Sequence, residues 1–276
     1  MLSPPPFHTL REPCEFYFVR HGESESNKVG RIQGHTDSPL SELGRTHAEA
    51  AGRWFEGKEI DTVLTSPLAR ARETAQIISR HAGTPEPLDH PGLIELNTGI
   101  YSNVSIRGLR EIDPELFREF RIHSWEVVPE AERIASLQAR AATVWDELVR
   151  LARKGARRFV CVSHGGMIQW LIKATIGAGE QRWMPLFETS NCGIFLFRAE
   201  STLPGHRHHA GGELSDSNAM AADEAPSGIG AFGAGSDGGS GDEDAAPAGT
   251  PPTEPPLPGT GYYGVWALIN HVPYTT

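Results

Sequence analysis

Glu15-Phe16-Tyr17-Phe18-Val19-Arg20-His21-Gly22 is a short apolar run that stops at an arginine, a histidine and a glycine. The run reads as a buried strand, so the polar triplet sits at the strand's carboxyl end. The same arrangement occurs twice more. Ile60 to Thr65 reads as a strand and is followed by Ser66-Pro67-Leu68-Ala69-Arg70. Arg158 to Ser163 reads as a third strand and is followed by His164-Gly165-Gly166.

Helical periodicity fills the intervals. Ser41 opens a helix in which Leu43, His47, Ala50, Ala51, Trp54 and Phe55 recur at helical spacing. Ser66 is placed as an N-cap with Pro67 at the first helical position, and the helix continues through Leu68, Ala71, Ala75 and Ile78. Arg107 to Phe120, Ala131 to Arg153 and Met167 to Ile176 are read as further helices, and residues 193–198 and 262–269 as two late strands. Alternation of this kind predicts an α/β sandwich with helices on both faces of a mostly parallel sheet. In such sheets sites form beyond the carboxyl ends of the strands, so the three polar clusters are expected at one edge. That edge would hold two arginines and two histidines. Arginine offers a planar fork that matches phosphate oxygens, and histidine is neutral often enough near pH 7 to act as a nucleophile. Gly22 and Gly165 would let backbone approach the ligand closely.

Composition sets limits on the other classes. The chain has 276 residues and a formal net charge of −10. Ten acidic residues and one basic residue, Arg207, lie between Glu200 and Thr260, so nine of those ten charges belong to that stretch. The rest is nearly neutral, which gives no support for nucleic-acid binding. Residues 200–260 are Gly-, Pro-, Asp- and Ala-rich and cannot bury enough apolar surface to offset their ordering entropy. They are read as a disordered insertion between the two late strands, with 1–13 as an N-terminal extension and 14–199 plus 261–276 as the folded domain. His206-Arg207-His208-His209 lies at the start of the insertion and is read as solvated rather than as a metal site. Cys14, Cys161 and Cys192 are odd in number and widely spaced, which argues against a disulfide framework. No apolar stretch of about 18 residues is present, and the Pro-rich start lacks a secretory pattern. A cytoplasmic protein with no membrane partner is expected. Trp54 and Phe55 are assigned to the core, and Trp125 is left open between core and substrate.

Together the motifs resemble the histidine phosphatase, or phosphoglycerate mutase-like, family. Residues 20–27, Arg20-His21-Gly22-Glu23-Ser24-Glu25-Ser26-Asn27, resemble its opening signature. Arg31-Ile32-Gln33-Gly34 and Asp37-Ser38-Pro39-Leu40-Ser41 with Gly44 are similar to the next segment. Residues 65–75 resemble the segment carrying a second phosphate arginine, here Arg70. Leu93-Ile94-Glu95-Leu96-Asn97-Thr98-Gly99 resembles the segment with the acidic proton donor, here Glu95, and residues 162–166 the second histidine motif. One position departs: Asn103 stands where the family often has glycine, so the loop after Glu95 is expected to differ in shape.

The resemblance implies a three-layer α/β/α sandwich around a mixed sheet and a phosphatase that needs neither metal nor cofactor. His21 would attack phosphorus and form a phosphohistidine. Arg20, Arg70 and a protonated His164 would hold the equatorial oxygens, with Asn27 as a neutral donor. Glu95 would protonate the leaving oxygen and then activate water, and Gln33, Gly34 and Gly165 would line the substrate side. The partner is a small phosphorylated substrate. Two alternatives stand beside this reading. A phosphoglycerate mutase is disfavoured because Glu25 replaces a tryptophan-containing run and because Arg107 and Arg110 are separated rather than paired. A non-catalytic phospho-binding module is disfavoured by the intact set of Arg20, His21, Arg70 and His164.

Overall fold

The structure, a computed structural model, describes residues 5–177, 188–201 and 262–274. The decisive run forms β1 (Cys14–Arg20). A single turn, α1 (Glu25–Lys28), precedes α2 (Glu42–Trp54), β2 (Thr62–Thr65) and α3 (Ala69–Ala82). Then come β3 (Leu88–Asp89), the short helices α4 (Leu109–Ile112) and α5 (Pro114–His123), and the long α6 (Ile134–Arg153). β4 (Arg158–Ser163), α7 (Gly165–Thr175), β5 (Ile194–Ser201) and β6 (Tyr262–His271) complete the order.

The sheet runs β3-β2-β4-β1-β5-β6. β1, β2, β3 and β4 are parallel, and β5 and β6 join antiparallel. Side chains alternate across it, as strand geometry demands. Phe16, Phe18, Phe159, Cys161, Phe195 and Phe197 pack with residues of α6 and α7. Tyr17, Val19, Val160, Val162, Ile194 and Leu196 pack with Phe55 and with α3. Two helical layers therefore enclose one mixed sheet, the architecture expected for this class of fold. Every described residue from Phe16 to Val19 is buried because both faces of β1 are covered.

Several local expectations change. Ser66 does not cap α3. Leu68 occupies that position, and the Ala69 N–H donates to Asp37 Oδ1 at 3.0 Å. The helix expected over 107–120 is broken at Asp113, whose extended backbone (φ −150°, ψ 96°) is what a residue before proline adopts. Asp113 then caps α5 by accepting from Glu115 N and Leu116 N. β3 has two exposed residues and no apolar signal. Ahead of β1, Phe7 and Leu10 enter the main core, and Phe7 packs edge-on against Trp145 at 5.3 Å. The expected disordered insertion, with its His206–His209 run, lies outside the described residues, apart from Glu200 and Ser201 in β5. Among the described residues no helix is long and apolar enough to cross a membrane.

Candidate active site

The strand order places β2, β4 and β1 side by side and parallel, so their carboxyl ends share one edge. His21 N–H donates to Ser163 O at 2.9 Å and Ser66 N–H to Val162 O at 2.9 Å, locking the three polar clusters in register. His21 is 3% exposed. Its Nδ1 lies 2.7 Å from the Gly22 carbonyl. A carbonyl only accepts, so Nδ1 carries the proton and Nε2 keeps its lone pair. Arg70 Nε donates to that Nε2 at 3.3 Å. Burial, then Arg70 and Arg20, hold the imidazole well below its ordinary pKa, so it is neutral near pH 7.

Arg70 is itself 1% exposed and is aimed by carbonyls. Nη1 donates to Thr36 O at 2.9 Å and Nη2 to Gly34 O at 3.0 Å. Gly34 has φ +52°, and a Cβ there would lie 2.4 Å from Thr98 Oγ1. Only glycine places that carbonyl without strain. Arg20 Nη1 donates to Thr189 O, while its buried Nε has no hydrogen-bond partner among the described residues. Burial works against the charge of both guanidiniums, and Glu95 is the largest compensating charge for each. An anion between them would relieve that penalty.

His164 is fully buried, with its ring centroid 4.9 Å from that of His21. Nε2 is 2.7 Å from Ser66 Oγ, and Nδ1 is buried without a partner among the described residues. Burial, then His21 and the arginines, push its pKa well down, so it is neutral in this structure. Glu95 is pinned at the N-terminus of α7. Its Oε1 accepts from Leu96 N (2.9 Å) and Met167 N (3.1 Å), and Oε2 from Gly166 N (3.2 Å). Helix N-termini favour such a carboxylate.

Asn27 Oδ1 accepts from Ser24 N (3.3 Å), Ser24 Oγ (3.1 Å) and Asn191 Nδ2 (3.4 Å), which leaves its amide donors for the cavity. Gln33 Oε1 accepts from Ser24 Oγ at 3.0 Å. Arg20, His21, Asn27, Gln33, Gly34, Arg70, Glu95 and Gly165 all line one cavity of about 450 Å³. His164 is not among the lining residues, but its ring lies beside that of lining residue His21, centroids 4.9 Å apart. A Cβ at Gly22 would lie 2.6 Å from the Gly44 carbonyl, so close packing against α2 also requires a glycine there.

Other residues were not foreseen. Ser66 is bonded to His164. Arg140 holds the Glu95 segment, donating to the Gly92, Ile94 and Glu95 carbonyls, and forms a bidentate pair with Glu132 (2.8 and 2.7 Å). Asn191 Nδ2 donates to His21 O at 3.0 Å. The loop carrying Thr189 and Asn191 is in turn gripped from beyond β5: Ser190 N donates to Asn270 Oδ1 at 2.7 Å, and Tyr274 OH donates to Asn191 O. Leu96, Ile32, Ile106, Phe120 and Trp125 supply an apolar wall. Trp125 faces both the cavity and the core. Ser66, Ile32 and Leu96 stand in motifs already quoted and Trp125 was open between core and substrate, whereas no local sequence signal marks Arg140, Asn191, Ile106 or Phe120, which are recruited by tertiary contact.

Known proteins resemble the chain in sequence and in fold. The chain is 32% identical over 165 residues to the probable phosphoglycerate mutase GpmB of Yersinia pestis, covering 59% of this chain and 75% of that one. The mycobacterial glucosyl-3-phosphoglycerate phosphatase, solved with VO3, is similar in structure with a TM-score of 0.60 and 26% identity, covering 67% of this chain and 93% of that one. A phosphoserine phosphatase from Entamoeba histolytica, solved with phosphoserine, is similar with a TM-score of 0.56 and 27% identity, covering 66% and 89%. The sequence profile of the histidine phosphatase superfamily, branch 1, matches residues 16–205, a span that holds all three strand-end clusters and Glu95. On that match the chain belongs to the histidine phosphatase superfamily (branch 1).

Proposed function

We propose that the protein is a phosphomonoesterase that works through a phosphohistidine at His21 and requires no metal ion. The observation that carries the reading is the His21 tautomer: Nδ1–H is spent on Gly22 O, and Nε2 presents its lone pair beside Arg70. That lone pair exchanges its long bond from Arg70 Nε for phosphorus and attacks as the ester P–O bond breaks, and Glu95, which takes up a proton as the substrate's negative charge enters beside it, gives that proton to the leaving oxygen. Water then attacks the phosphohistidine, Glu95 takes its proton, and the P–N electron pair returns to Nε2. Arg20 Nε, Arg70 and His164 Nδ1 hold the equatorial oxygens, where charge accumulates in a loose transition state. A bound dianion reverses the electrostatic sign at His164 and favours its protonation there. Asn27 adds a neutral donor. The two structural relatives named for phosphatase activity act on phosphomonoesters, in line with this reading.

The test is phosphate release from a panel of small phosphomonoesters with EDTA present, for wild type and His21→Ala. Release that persists in EDTA and disappears in the variant is expected. Near-wild-type release by the variant would sink the assignment. The mutase reading has one specific support, the name of the Yersinia relative. Phosphoglycerate interconversion exceeding phosphate release would favour it.

A further inference from the structure

Beyond the phosphoryl end, the cavity wall changes character. Ile32, Leu96, Ile106, Phe120 and Trp125 line it. Phe120 and Trp125 meet edge to face at 4.9 Å, and Trp125 is anchored in two apolar clusters. These rings are held in place for a partner of their own kind. Charge points the same way. Among the described residues, Arg31 is the one cation in the lining besides Arg20 and Arg70. Its Nη1 is already given to Asn103 O (2.9 Å) and Asn103 Oδ1 (3.4 Å). A carboxylate on the leaving group would lose water against apolar walls, share the cavity with Glu95 and find, among the described residues, one further guanidinium, exposed and partly engaged by Asn103.

We infer that the site selects phosphomonoesters of apolar, uncharged alcohols, aryl or alkyl, over esters whose alcohol bears a carboxylate. The inference rests on the phosphatase reading above. It sets this chain apart from relatives named for phosphoserine and glucosyl-3-phosphoglycerate, both carboxylated. Trp125 and Phe120 are the specificity-determining side chains. Ile106, 60% exposed at the rim, is where the preference can be reversed. Its backbone N–H is tied to Gly30 O at 3.0 Å, a bond that survives a side-chain change.

The experiment compares kcat/KM for benzyl and n-hexyl phosphate with that for phosphoserine and 3-phosphoglycerate. Alkyl esters are chosen so that leaving-group acidity does not produce the difference. The wild type is expected to favour the apolar esters by roughly tenfold or more. Ile106→Lys is expected to cut that ratio by about tenfold, through loss on the apolar esters and gain on the carboxylated ones. His21-dependent turnover with the carboxylated esters equal or better would overturn the inference and leave the phosphatase reading standing. If no ester is hydrolysed, the phosphatase reading falls, and calorimetry with benzylphosphonate against 3-phosphonopropionate still reads the wall. Tighter binding of benzylphosphonate supports the preference, and equal or weaker binding overturns it.

Discussion

Around Arg70 every contact is polar, short and directional: two carbonyls and one imidazole nitrogen hold the guanidinium, and all three lie at the ends of strands or in the turn that Gly34 allows. Around Phe120 the opposite holds. That wall is made from an excursion of short helices and turns between β3 and α6, and α5 buries none of its residues. It is joined by ring contacts such as Tyr101–Phe120 at 5.8 Å. The cradle meets a fixed tetrahedral group, so misplacement of a donor is costly. The wall meets a leaving group by area, which many side chains can supply. One cavity can therefore keep its chemistry while its substrate changes.

The sharpest way to break this contrast is Arg70→Lys. A single ammonium cannot satisfy the Thr36 and Gly34 carbonyls and an equatorial oxygen together. A fall in kcat/KM of about 10²–10³ is expected from steady-state kinetics. A fall below fivefold would mean that the fork is dispensable. Gly34→Ala probes the turn that aims Arg70. With φ +52° and Thr98 in the way, it should cost about 2 kcal/mol by urea denaturation and raise KM as the carbonyl shifts.

Within the excursion, Glu132→Gln tests the bolt to α6. Burial raises the Glu132 pKa, but the Arg140 and Ser136 hydrogen bonds outweigh it, and the net shift is downward. A carboxylate with a depressed folded pKa stabilises above its unfolded value and loses that contribution as pH falls through the folded one. Wild type minus variant should therefore be about 1–2 kcal/mol at pH 7 and shrink in acid below the ordinary glutamate range. A difference constant from pH 7 to pH 3 would remove the ion pair from the account. The smallest effect expected is at Asn103, whose φ is +62°. Asn103→Val should cost about 1 kcal/mol, whereas Asn103→Gly should change stability by less than about 0.5 kcal/mol.

Asn103 also shows how far the sequence can be read. Its replacement of glycine suggests a different loop, yet its φ of +62° is one that asparagine tolerates as glycine does, so the change of residue type does not by itself decide the backbone. The cradle was legible because its chemistry demands particular residue types directly after apolar runs: Arg20 and His21, Arg70, and His164 all stand at the shared edge. Ser66-Pro67 has the form of a helix start but was claimed by His164, a contact 98 residues away. The break at Asp113-Pro114 had a local signal, the restriction that proline places on its neighbour, which helical periodicity obscured. Arg140 and Asn191 had none, because what they do depends on partners dozens to more than a hundred residues distant.

The grip of Asn270 and Tyr274 on the loop that carries Asn191 also orders events in time. Ser190 and Asn270 are 80 residues apart, a gap that a ribosome translating about 5–20 residues per second needs roughly 4–16 s to cross. During that interval a nascent chain already carries His21, the proposed nucleophile, and both arginines, while the brace behind them has not been made. Catalytic competence should thus lag behind the synthesis of the catalytic residues, and arrive only when the last strand adds itself to the sheet.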